Sequence, residues 1–312
     1  MSTASMHRHA YAEPRKSRWV RDHEQSKSFP VRAEAMRKSA KVAMLAMLLT
    51  TRSNHSFGEP AGAIVKLPEI DRNAIEMSLG KGSIGPAIGT QAIEDPSRFV
   101  TLTPTTKWFR IVQGLNSGTL QRYQFFPASK SSTRPGGWYQ AGDEEKGFLE
   151  MQDDGSLVVT GVEDMQSESV THYDPPEPFL PKGLAPGEHR VVRMSVRVHS
   201  ARRSEEITHR GELTVNFQYL GAFRLTVPAG TFDAVLMKST FSGHIGPAKL
   251  EDVQYRFFAT NAGLLATIEN RQVSAYLIYQ SDTEMAKVLT RQPGENLNKR
   301  SDDALESKVP AP

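Results

Sequence analysis

Thr226-Val227-Pro228-Ala229-Gly230-Thr231-Phe232 is the stretch on which the fold turns. Proline presets φ for the first position of a turn, alanine accepts the second, and glycine supplies the positive φ that a three-residue hairpin loop with a bulge requires. The segment therefore reads as a β-hairpin with its tip at Pro228, Ala229 and Gly230. Its incoming arm, Phe223 to Val227, alternates apolar and polar residues, whereas its outgoing arm, Phe232 to Met237, is apolar on nearly both parities. A strand of the second kind is covered on both faces.

The same period of two extends outward from the hairpin. Val192, Met194, Val196 and Val198 alternate with Arg193, Ser195 and Arg197, and after a charged turn at Ala201 to Glu206 so do Leu213, Val215, Phe217 and Tyr219 with their polar neighbours. Downstream, strands read at Val253–Ala259, Leu264–Glu269 and Val273–Tyr279, with a turn at Thr260 to Gly263. In the first half, strands read at Pro104–Val112 and Thr119–Phe126, and Gly147–Gln152 and Leu157–Val162 flank Asp154-Gly155, a type I′ hairpin signal. Tyr173 to Pro181 holds four prolines, which remove donors and fix φ, so it reads as an extended crossover between two β-rich halves, 99–174 and 184–289. The fold class expected is all-β, a curved antiparallel sheet forming a half-barrel or an open barrel-like shape.

Charge separates the folded part from its leader. Residues 1–58 carry eleven Lys and Arg against four acids, net +7, which leaves −4 for the remainder of a chain whose total is +3. An electrostatic case for nucleic acid binding by the folded part fails on that sign. Within the leader, Arg37-Lys38-Ser39-Ala40-Lys41 precedes the apolar run Val42 to Leu49, which is too short to span a membrane and matches a secretory signal. The expectation is a periplasmic or secreted protein without a transmembrane anchor. Residues 59–98, rich in Gly, Pro, Ala and Ser, read as a linker with weak helical hints at Ile70 to Leu79, and 290–312 as a disordered tail. The absence of cysteine excludes a disulfide framework, a thiol nucleophile and cysteine-ligated metal.

Val227-Pro228-Ala229-Gly230-Thr231-Phe232, followed by Tyr255-Arg256-Phe257-Phe258-Ala259 and Gly263-Leu264-Leu265, resembles a group of uncharacterised β-rich bacterial envelope proteins. Their commoner form is aromatic-Ala-Pro, two spacers, then Gly; Thr260 stands here where proline is usual. The group is similar in fold to the periplasmic lipoprotein-localisation carriers, whose sheet curls into a half-barrel around acyl chains. The resemblance implies a fold and a compartment, and it carries no catalytic motif.

No chemistry-bearing constellation stands out. His172, His189, His199, His209 and His244 lack ligand spacing, so neither metal nor cofactor is expected. Ser242 and His244 invite a hydrolase reading, but Ser242-Gly243-His244-Ile245-Gly246 is not the Gly-x-Ser-x-Gly elbow and no orienting acid is legible. Asp153-Asp154 and Glu163-Asp164 are explained by a turn and a solvated edge. The remaining candidates are Phe217, Tyr219, Tyr255, Phe257 and Tyr276, which fill a core or line a cavity for a lipid-like ligand. The leading expectation is a non-catalytic protein that binds an apolar or lipid-like molecule or an envelope partner. The alternatives are an envelope hydrolase using Ser242 and His244, and a structural or assembly factor.

Overall fold

The computed structural model describes residues 62–100, 103–128, 136–142, 144–275 and 279–291. The leader with its apolar run 42–49 and residues 292–312 of the tail lie outside the described residues. In chain order the elements are α1 (Glu69–Leu79), β1 (Ile84–Ile88), β2 (Thr105–Gln113), β3 (Leu120–Pro127), β4 (Gly136–Ala141), β5 (Glu145–Met151), β6 (Leu157–Asp164), β7 (Ser169–Leu180), β8 (His189–Ser200), β9 (Ile207–Val227), β10 (Gly230–Ile245), β11 (Ala248–Ala259), β12 (Gly263–Ala275) and β13 (Tyr279–Leu289). Strands β2 to β13 form a closed twelve-strand antiparallel barrel, since β8 pairs with β9 and β13 pairs with β2.

The half-barrel or open sheet expected from sequence is thus corrected to a closed ring. Closure satisfies the ladder hydrogen bonds that an open sheet would leave at two edges. It also joins distant chain segments, with Lys287 opposite Ile111 and Leu289 opposite Phe109. No sequence period reports a pairing of that range.

Strand β9 is longer than either strand read within it. Its 21 residues merge Leu213–Tyr219 and Phe223–Val227 into one element. Met237 pairs with Tyr219 but Leu236 pairs with Gly221, which leaves Leu220 as the extra residue of a bulge. Gly221 takes φ +117 there, a conformation glycine alone adopts cheaply. The bulge interrupts the alternation without interrupting the strand. Beyond it the edge of β9 that faced β8 is taken over by β1.

The hairpin's outgoing arm is covered on both faces, as its composition implies. Ala234 and Leu236 pack with Phe223, Leu225, Tyr255, Phe257, Ile268 and the helical Ile75. Val235 and Met237 point the other way, into a cluster with Phe125, Tyr139, Leu149, Leu157, Phe179 and Phe258. These residues come from strands all around the ring, and side chains so distributed can meet only in the barrel interior.

Residues 62–98 are not a linker, a second correction. Pro68 precedes α1, Glu69 and Asp71 lie in its first turn where the helix dipole favours acids, and Gly80 at φ +98 ends it. Asp71 is buried and accepts from Lys238 Nζ at 2.6 Å and from the Tyr255 hydroxyl at 2.7 Å, which ties α1 to the sheet face opposite the lumen. Leu67, Ile75 and Ile84 are too sparse to show a period, yet all three are buried there. The segment after β1 then runs across one end of the barrel. The Ile93 amide donates to Leu184 O at 3.2 Å, and the Asn261 amide, in the β11–β12 turn, donates to Arg98 O at 2.9 Å.

The proline-rich stretch also differs from expectation, because β7 continues through it to Leu180. Its pairing with β8 ends at Asp174, and the β6 register shifts between Val159 and Gly161. The prolines at 175, 176 and 178 therefore fall where one edge carries no ladder, the setting in which a strand tolerates proline. The turn at Asp154-Gly155 does join β5 to β6, but only Gly155 has positive φ, +86, so it is not type I′, which needs two such residues. The Asp154 carboxylate accepts from the Ser156 amide at 2.8 Å.

At the founding hairpin, Val227 pairs with Gly230 around Pro228 and Ala229, so the loop has two residues and no bulge where the sequence suggested a three-residue loop with one, and Gly230 takes φ +132. Gly230→Val forces a β-branched residue into that region, and the expected loss is about 1–3 kcal/mol in urea unfolding. An unchanged midpoint would contradict the assignment of strain to this turn.

Candidate functional site

The interior combines a polar ribbon with a small aromatic cavity. Alternation along β11 sends Asp252, Gln254, Arg256 and Phe258 to one face and Val253, Tyr255 and Phe257 to the other. Arg256 reaches across to β7, donating to Glu177 Oε1 at 3.2 and 3.3 Å, and its guanidinium lies 5.0 Å from the Phe179 ring centroid. It also donates to Gln254, whose amide donates to Asp252 Oδ2 at 2.6 Å. Arg271 on β12 continues the ribbon, pairing with Asp252 at 3.5 Å and with Glu269.

Burial sets the proton affinities of these acids. It raises Glu177, with Arg256 opposing the rise without cancelling it. It pushes Asp252 from 3.8 up to about 6, with Glu269 adding to the rise and Arg271 working against it. One oxygen of Asp252, Oδ1, is buried with no hydrogen-bond partner among the described residues, a further reason for the carboxyl to hold a proton.

The cavity lies at the end of the barrel crossed by residues 93–100. It measures about 60 Å³ and is lined by Phe109, Tyr123, Phe125, Tyr139, Leu149 and Phe179, with Lys107, Thr105, Val100, Gly263 and Leu264 at its margin. The Tyr123 and Tyr139 rings stack at 4.8 Å, and the Tyr139 hydroxyl donates to Glu145 at 2.7 Å. Lys107 Nζ donates to Ala262 O at 2.5 Å, and burial lowers its ammonium to about 8. A side chain at Gly263 would meet Lys107 Nζ at 2.5 Å, so glycine there leaves room for the amine.

Of the aromatic residues singled out in the sequence, the four described are split between the two faces of the sheet. Phe217 and Tyr219 face the lumen, the first packed with Val215 and Phe241 and the second bonded to Thr90 at 2.6 Å. Tyr255 and Phe257 lie on the opposite face with α1. Tyr276 is outside the described residues. None of the four described residues lines the cavity. Pro228 and Ala229 form the turn already described, and Gly230 opens β10.

Ser242 and His244 are exposed on β10, and no hydrogen bond joins them. His172 and His199 meet edge to face at 5.2 Å, and Asp164 accepts from the Gln166 and Ser167 amides at 2.8 and 3.0 Å. Among the described residues there is no cluster of three or more His, Asp or Glu that could hold a metal, and no helix long and apolar enough to cross a membrane.

No family model matches the chain, and no curated protein does. A crystal structure from Parabacteroides distasonis, of a protein provisionally assigned as a lipoprotein, aligns with 64% of this chain and 98% of its own at 11% identity. Its TM-score is 0.29, too low to carry an argument.

The raised Asp252 gives a pH dependence of defined sign. Between about pH 4 and 6 the folded carboxyl holds more proton than the unfolded one, so its contribution is full at the acid end and is lost as pH rises through about 6. In urea unfolding between pH 4 and 7, the stability of Asp252→Asn is expected to fall less with rising pH than that of the parent protein. Parallel profiles would mean that Asp252 titrates normally.

Proposed function

We propose that the protein is a non-catalytic binding barrel of the bacterial envelope, which holds a small apolar molecule in the cavity at the end crossed by residues 93–100. The observation that carries this reading is an aromatic-walled hollow beside the packed cluster of the lumen. At about 60 Å³ the hollow exceeds the ~10–15 Å³ a water needs but falls well below the ~300–1,000 Å³ of drug-sized sites. A short or compact ligand fits it better than a whole lipid. The outward face supports an aqueous setting: Arg193, Ser195 and Arg197 on β8 and Asn216 on β9 are exposed, where a lipid-facing barrel carries an apolar band.

Benzene is a suitable probe. Saturable uptake by the full-length protein, followed by NMR, is expected, together with its loss in Leu149→Phe, which fills the hollow. Equal uptake by both proteins would place binding elsewhere. The envelope location rests on the basic segment before Val42–Leu49. Mass spectrometry of protein recovered from cells is expected to find that run removed, and its retention in a cytosolic fraction would refute export.

A further inference from the structure

Of the three cations of the site described above, one stands apart. Arg256 is paired with Glu177, and Arg271 with Asp252 and Glu269. Lys107, at the cavity margin, has no Asp or Glu within ion-pair distance among the described residues; its bond is to the neutral carbonyl of Ala262. Lys107 is half-buried; a cation partly withdrawn from water without a counter-ion is costly, and an anion delivered to it is bound correspondingly well. One ammonium proton is used on Ala262, which leaves two for a ligand.

Resting on the binding reading above, we infer that the cavity is a site for a small organic carboxylate, with the anionic end on Lys107 and the apolar body among Phe125, Leu149 and Phe179. A carboxylate suits the two remaining donors. Phosphate or sulfate would present more oxygens than this largely apolar lining can satisfy. The ammonium, lowered to about 8, is still mostly protonated at neutral pH and loses its charge in mild alkali.

The test compares benzoate, benzamide and benzylamine on the full-length protein by calorimetry at pH 6.5 and 9.5, with benzene as the neutral reference. Benzoate is expected to bind at least about tenfold more tightly than benzamide at pH 6.5, consistent with a hydrogen bond to a charged group. That preference is expected to collapse at pH 9.5 and in Lys107→Met, to survive in Lys107→Arg, and benzylamine is expected not to bind. Equal binding of benzoate and benzamide, or a preference that persists in Lys107→Met, overturns the carboxylate assignment while benzene uptake leaves the cavity reading standing. Failure of all four probes overturns both. Should Lys107→Met not fold, the pH comparison on the parent protein decides the question.

Discussion

Arg256 reaching across the lumen to Glu177 is the contact on which the interior depends. A ring of twelve strands has room for more than a single layer of side chains, and strands β7 and β11 are not neighbours in it. They are nevertheless in contact, through this ion pair and through the Phe179 and Phe258 rings at 5.4 Å. The barrel is therefore drawn together across its width, and the hollow described above lies near its end. Because burying charge is expensive, the pair is helped by the further hydrogen bond that Gln254 accepts from Arg256.

Much of the secondary structure was legible in the sequence, and the reasons are local. Pro228-Ala229-Gly230 marked a true turn, and the apolar run after it marked a two-faced strand, because turn chemistry and burial act over a few residues. What escaped was non-local. The bulge at Leu220 looked like a strand end, the prolines of β7 looked like a break because their free edge could not be foreseen, and α1 has too few buried residues to show a period.

The site was less legible than the fold. Phe217, Tyr219, Tyr255 and Phe257 drew attention by their size, but alternation alone does not say which side of a sheet is hollow. Lys107 did leave a signal. It shares parity with Phe109 and Ile111, both buried, within a strand that was correctly recognised, so its side chain was bound to follow them inward. A lysine on the apolar side of a strand is the kind of exception that points to a site.

The pairing of β2 with β13 has a consequence for how the molecule comes into being. The first barrel strand waits for the last, across all the chain that lies between Gln113 and Tyr279. As the chain folds, each completed hairpin therefore adds to a sheet that still presents a bare margin, and the ring seals only when its final ribbon is in place. Until then the nascent chain is exposed to mispairing, and a truncated product lacking the last strand would keep that margin permanently.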